Sequence, residues 1–476
     1  MNGLSTQAQA IKSINPRSAS VRPSGQNQES RAEAASGRWL VAFVLCHFAF
    51  QLALLLPWFS GLRALLRAGA FGNSLVFFAL VPGKAKARAP IRGWAVATLA
   101  IVASECLHPN GGGVIAVVAQ ALLYLAILAP VFWVSRFQIN ASIFQRLMIL
   151  LWLYYAAGAI MGVLQAYFPG SFQPALSSVF NDMGRDYVAS MQIKLTSGEH
   201  IFRPMGLTNV PGGAAYGALY AIVLGAGIIL LPKAPFFGAK VAAVATMLVG
   251  AICLYLCQVR SMVVMTAICL IVMILLVALS GRVSRLFAIV ASVAVVTPAA
   301  FMLAVSLAGN AVTDRLETLV KSDAGTVYYN NRGHFLADAF YKALPKYPLG
   351  AGMGHWGMVA NYAGSGIGAF WVEIQWTGWI YDGGVPLVLA YLGAVLVSTW
   401  CALQIARGKL GRGESGLAVW GAIVVAYDVG TLALCFNYVP FIGSYGLEFW
   451  LINATLIYAA LNADARRPKA VLFSKA

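Results

Sequence analysis

The sequence predicts an all-α polytopic membrane protein of about twelve transmembrane helices, with two structured segments on its outer face. Three observations carry that reading. Of 476 residues, 60% are apolar and only 10% charged, whereas a soluble domain is usually about a quarter charged. The apolar residues fall in runs of roughly 20, the length that crosses a bilayer as a helix. Finally, the 33 Lys and Arg divide unevenly between the two sides that those runs define. A water-soluble enzyme is excluded on composition, and so is a disordered chain, because disorder requires low hydrophobicity.

Residues 1–37 are polar, rich in Ser, Gln, Asn and Ala, and carry Lys12, Arg17, Arg22 and Arg31. This is too long and too polar for the charged start of a signal peptide, and it reads as a disordered cytoplasmic tail. An N-terminal membrane block (38–168) follows, with runs near 39–59, 64–82, 91–107, 113–134 and 147–168. A first outer segment covers 169–211. The central block (212–308) holds runs near 212–232, 239–257, 262–280 and 286–308. A larger outer loop covers 309–384. The last block (385–462) has runs near 385–404, 415–436 and 443–461, before a cytoplasmic tail at 463–476.

Alternating these runs from a cytoplasmic N-terminus puts 22 of the 33 basic residues inside, among them Lys84, Lys86, Arg88, Arg92, Arg407, Lys409, Arg412, Arg466, Arg467 and Lys469. Only Glu29, Glu33, Glu414 and Asp464 of the 16 acids join them. Basic residues near short loops resist translocation and so set orientation. Both termini are therefore expected in the cytoplasm of a cell with the active face on the other side. The net charge of +17 is an orientation signal, and no nucleic-acid partner is needed to explain it.

Loops beyond about 15 residues are usually functional or disordered, and the two outer segments are not low-complexity. Arg332 to Ala343 places Phe335, Leu336, Phe340 and Ala343 near helical spacing, which predicts an amphipathic helix; it stops at Pro345 and enters a Gly-rich turn, Gly350 to Gly354.

Three arginines stand out by position: Arg203 before the sixth run, Arg260 in a four-residue turn between the seventh and eighth, and Arg332 opening the amphipathic stretch. Each has a bland explanation, a long side chain reaching headgroups to anchor a helix. Arg260 has no acidic neighbour in sequence, so its charge requires a cavity, a lipid phosphate or a ligand. Guanidinium groups bind phosphate bidentately and stay charged, so three on one face also fit a diphosphate clamp. Glu373, among aromatics at the edge of a run, is a candidate base or else an ion-pair partner or helix cap. Asp382, just before Gly383 and Gly384, favours the cap or turn reading. Asp428 and Glu448 are intramembrane acids, costly to bury and so possible functional residues, with structural pairing the alternative for each.

Among five histidines, His47 reads as a packing residue, while His334 and His355 lie in the outer loop. No pair has metal-ligand spacing, so no metal or other cofactor is indicated. His355 follows a turn whose amides could approach an anion. Trp356, Tyr362, Phe370, Trp371, Trp376 and Trp379 form either an interfacial belt or the stacking surface of a glycan cleft. The seven cysteines show neither disulfide nor metal spacing, and Cys253 with Cys257, one turn apart, reads as small packing residues.

Four pieces, in this order and on one face, carry a resemblance: R-x-x-G-L-T-N-x-P-G from Arg203 to Gly212, V-R-S from Val259 to Ser261, N-R-G through P-L-G-A-G-M-G from Asn331 to Gly354, and D-G-G-V-P-L from Asp382 to Leu387. The stretch from Tyr154 to Leu392 resembles the superfamily of bacterial O-antigen ligases and Wzy-type polysaccharide polymerases. The resemblance implies a GT-C-like, metal-independent membrane glycosyltransferase of the inner membrane, acting on a polyprenyl-diphosphate-linked glycan at the periplasmic face. It implies that Arg203 and Arg260, joined by Arg332, hold the diphosphate, that Glu373, His334 or His355 serves as base, and that Trp356, Trp371, Trp376 and Asp382 contact the glycan. The ligase branch carries a histidine eleven residues before the glycine matching Gly384; here that position is Glu373, which fits a polymerase of exopolysaccharide or O-antigen better than a ligase. The implied partners are the lipid-linked oligosaccharide, membrane lipids and a chain-length regulator. Transfer to a lipid A core or protein, or a flippase that moves the lipid-linked glycan, are the rival expectations.

Overall fold

A computed structural model describes residues 24–83, 88–174, 188–189, 191–194, 198–320, 324–357, 359–360, 370–412 and 414–466. Lys12, Arg17, Arg22, Lys84, Lys86, Tyr362, Arg467 and Lys469, named above, lie outside these residues.

The chain is an all-α, multi-pass membrane protein. Its long helices are α1 (Ser24–Ala53), α2 (Arg63–Leu80), α3 (Ile91–Glu105), α4 (Val114–Trp133), α5 (Ala141–Tyr167), α6 (Ala214–Leu230), α7 (Ala239–Cys257), α8 (Arg260–Leu279) and α9 (Val283–Ala308). Then come α10 (Asn310–Val320), a continuous helical segment α11 (residues 324–346), α12 (Gln375–Ala406), α13 (Ser415–Leu434) and α14 (Ser444–Ala465). Among the described residues the only strands are β1 (Gln192–Lys194) and β2 (His200–Phe202), paired antiparallel with Ile193 opposite Ile201. Among the described residues, eight helices are long and apolar enough to cross a membrane. The four other apolar runs are also helical, as α2, α3, α6 and α14.

Two boundaries differ from expectation. Residues 24–37 belong to α1, so the helix starts well upstream of the first apolar run. Helix α12 starts at Gln375, so a short helix over residues 375–382 precedes the expected run and meets it at a kink. Its backbone breaks at Gly383–Gly384, where Gly384 takes φ +57 and Pro386 removes a helix donor. A Cβ at Gly384 would collide with the carbonyl of Pro348, which accepts a hydrogen bond from Val385 N at 2.8 Å. The kink lets the outer loop press against the helix.

Helices α6 and α14 lie at the centre, buried on nearly every side, as a helix apolar all round requires. Small residues bring the backbones together, the usual device where lipid offers no hydrophobic drive between helices. A Cβ on Gly162 of α5 would stand 2.7 Å from both Ala214 Cβ and Cys253 Sγ, and one on Gly250 of α7 would stand 3.0 Å from Ala218 O. By contrast Phe287, Val295 and Met302 of α9 are exposed, the face lipid would cover. Cys253 and Cys257 stand 3.9 Å apart at sulfur and are free thiols, so they serve as packing residues.

Candidate functional site

The segment 203–213 is wedged into one end of the bundle between α5, α6 and α7. Gln165, a lone amide in the last turns of α5, anchors it. Its Oε1 accepts from Met205 N and Gly206 N, each at 2.8 Å, and its Nε2 donates to Gly206 O at 2.9 Å. Gly206, at φ +64, sits where a Cβ would press on Gly158 O at 2.8 Å. The segment then hands over to α6 by hydrogen bonds from Gly212 N to Arg203 O, 3.3 Å, and from Ala214 N to Pro204 O, 3.2 Å. On the other flank α7 ends at Gln258, the one non-glycine residue with positive φ (+55) among the described residues. Backbone strain of this kind clusters at functional sites. That left-handed turn swings the chain directly into Val259 and Arg260, the first residue of α8.

The segments that carry the two arginines pack together here. A Cβ on Gly212 would lie 3.1 Å from Val259 Cγ2 and 3.9 Å from Arg203 Cδ, so at Gly212 the Arg203 loop packs against the residue before Arg260. Burial lowers the proton affinity of Arg203 from its ordinary value; the Cys257 thiol opposes this, and the charge of Arg260 adds to it. Both arginines are half-buried. Asn209 and Gln258 flank the same contact in sequence. Each has a buried carboxamide nitrogen with no hydrogen-bond partner among the described residues. Buried donors are normally satisfied, so these two amides stand out.

The other expected site residues are placed differently. Arg332 lies in the first of two π-helical turns of α11 and forms an ion pair with Glu373. The expected third clamp and the expected base thus neutralise one another. His334 is turned onto its own helix, with Nδ1 3.1 Å from Tyr329 O and its ring 3.9 Å from that of Phe335. His355 contacts Asn110 O through Nε2, which ties it to the α3–α4 connection. The turn at Gly350–Gly354 packs there too: Gly112 N donates to Met353 O at 2.9 Å, and a Cβ on Gly354 would lie 2.8 Å from the Ala116 backbone. The glycines serve close backbone approach, and the turn is not an open anion cradle.

Asp382 is wholly buried within α12 and is neither a cap nor a surface group. Tyr124 OH (2.8 Å) and Gln120 Nε2 (3.1 Å) donate to its Oδ2, and Trp356 Nε1 (2.9 Å) donates to Oδ1. The Trp356 ring covers Gly378. Both residues, expected on the glycan, instead bolt the outer loop to α4 and α12. Trp376 is half-buried, 5.7 Å from Trp379 and 5.4 Å from Phe436, while Trp371 is 64% exposed and remains open to a ligand. Sequence reasoning passed over Gln165, Asn209 and Gln258. Gln165 had a signal, a single amide deep in an apolar run, where membrane burial demands a partner. No metal-ligating group of three or more His, Cys, Asp or Glu occurs among the described residues.

A comparison with protein-family models and with curated proteins finds no match.

Proposed function

We propose that the chain is a bacterial surface-polysaccharide polymerase, a membrane glycosyltransferase working at the periplasmic face of the inner membrane. In this reading all twelve helical runs span the membrane and both termini are cytoplasmic. The diphosphate of a polyprenyl-linked glycan lies on Arg203 and Arg260, with Asn209 and Gln258 donating to its remaining oxygens. The single observation that supports the reading best is the packing of the Arg203 loop at Gly212 against Val259, the neighbour of Arg260. Two guanidiniums, one on the loop before α6 and one at the start of α8, suit an anion of two phosphates. Fixed positive charge there favours departure of the diphosphate as its negative charge develops. Holding two lipid-linked chains side by side supplies the alignment of acceptor and donor. The donor is already activated, so neither nucleotide nor metal enters the scheme.

Lipid-linked glycan profiling tests the reading. In cells carrying Arg260→Ala, polymer is lost and single repeat units accumulate on the carrier lipid. Full-length polymer in that strain overturns the clamp. Long lipid-linked chains in a deletion strain point instead to ligase-type transfer, and a missing outer product points to a flippase.

A further inference from the structure

We propose that Tyr216 and Glu448 form the proton-accepting end of this site, taking the proton of the attacking sugar hydroxyl. The inference rests on the glycosyl-transfer reading and names the base that this reading lacks once Glu373 is paired with Arg332.

Glu448 is joined to the start of α6, next to the Arg203 loop, through Tyr216. It is the fifth residue of α14, about 6 Å along the axis from that helix's first residue at a rise of 1.5 Å per residue. Tyr216 is the third residue of α6, the helix whose start is hydrogen-bonded to the carbonyls of Arg203 and Pro204. Met265, five residues beyond Arg260, accepts a hydrogen bond from Tyr445 OH at 3.4 Å, and the Tyr445 ring lies 4.6 Å from that of Tyr216. On the remaining side Tyr155 packs its carbonyl on Gly217, one turn of α5 from Gly158, which touches Gly206. Four helices therefore place this layer about one turn inside the layer of Arg203 and Arg260.

The carboxylate is bracketed by hydroxyls. Tyr155 OH donates to Oε1 and Tyr216 OH donates to Oε2 at 3.0 Å. Behind them a chain runs from Tyr216 to Tyr220 (3.3 Å) and on to Tyr427 (2.9 Å). The titratable groups facing Glu448 are His47 from α1, Tyr154 and Tyr155 from α5, Tyr216 and Tyr220 from α6, and Tyr427 from α13. His47 Nε2 is 3.8 Å from Oε1, too far for a hydrogen bond, and its Nδ1 faces Ala70 O at 3.3 Å. Tyr155, Tyr220, Tyr427 and Tyr445 are buried, whereas Tyr216 is half-buried. Of the tyrosines hydrogen-bonded to Glu448, Tyr216 alone is a half-buried residue, and Glu448 is the acceptor behind it.

The step balances without a further reactant. The acceptor hydroxyl gives its proton to the Tyr216 oxygen as Tyr216 passes its own to Glu448 Oε2. The acceptor oxygen forms the bond to the anomeric carbon. The bond from that carbon to the diphosphate oxygen breaks, and the electron pair leaves with the diphosphate on Arg203 and Arg260. Tyr216 touches the substrate; Glu448 acts through it.

The test uses the full-length protein. Polymer formation is followed in cells by pulse-labelling against medium pH, and binding of labelled undecaprenyl diphosphate is measured on purified protein in lipid nanodiscs. A positioned base contributes 10²–10⁴-fold, so Glu448→Gln is expected to slow polymer formation by about 100-fold or more while undecaprenyl diphosphate binding stays within about twofold. Glu448→Asp is expected to recover part of the rate with a displaced pH profile, which a purely structural role would not produce. Tyr216→Phe removes one oxygen, keeps the ring packing, and decides the matter if Glu448→Gln fails to fold; its expected loss is about tenfold or more. Wild-type rate and pH profile in Tyr216→Phe or Glu448→Gln overturn the proposal. Unchanged undecaprenyl diphosphate binding in Arg203→Ala and Arg260→Ala overturns the underlying reading instead.

Discussion

The segment around Arg203 and the segment around Arg332 sit at the same end of the bundle, yet they are held by opposite means. Around Arg203 the anchoring is done by neutral groups. Gln165 makes three hydrogen bonds to the loop backbone, and glycines at 206 and 212 allow close packing. Around Arg332 the charges are themselves the anchors. Arg332 pairs with Glu373, Asp382 collects three donors from α4 and the outer turn, and His355 holds the α3–α4 connection. The first segment is held through backbone and amides, the second through an ion pair and a buried carboxylate.

Substitutions separate the two regions, and Asp382→Ala has the largest expected effect. It orphans the buried donors of Gln120, Tyr124 and Trp356. At roughly 1–3 kcal/mol for each buried group left unsatisfied, the loss is on the order of 4 kcal/mol, read as a fall in thermal unfolding temperature of the purified protein. Gln165→Leu follows, at about 3 kcal/mol on the same reasoning, and it loosens the Arg203 loop. Polymer output should fall with it, whereas an unchanged melting temperature would show that the loop is held by something else. Arg332→Ala is expected to cost below about 1 kcal/mol, because a half-exposed ion pair contributes little, and the small loss should shrink further at high salt. Its polymer output should stay within a few-fold of wild type; complete loss would return Arg332 to the clamp. Glu373→Gln has the smallest expected effect, with chain output unchanged, and a large drop would restore Glu373 as the base.

Much of the fold was legible because it follows from local composition. Each of the twelve apolar runs became a helix, most within a few residues of the expected ends. His47 packs beside Phe43, with ring centroids 6.3 Å apart, and Asp428 pairs with Asn453 at 2.8 Å, both as a packing role implies. The start of α12 was illegible. Asp382, Gly383 and Gly384 look like a turn, and the backbone does break there, but only Tyr124, Gln120 and Trp356, far away in sequence, make a buried aspartate tolerable beside that kink. The helical start of α1 was hidden for a related reason: its first turns are polar, and polarity reads as tail when packing is unseen. For the candidate site, Arg203 and Arg260 were visible as charges at run boundaries, but the pairing of Arg332 with Glu373 joins residues 41 positions apart and has no local signal.

The sequence by itself determined that this chain is a helical membrane protein and which residues bear its unusual charges. Hydropathy and charge are sums over neighbours along the chain, and each run reports its own preference for lipid. What each charge does was decided by tertiary structure alone. The Arg332 guanidinium meets a carboxylate and becomes a strut, whereas Arg203 packs at Gly212 beside Val259, the neighbour of Arg260. That difference depends on which helices come together across the bundle.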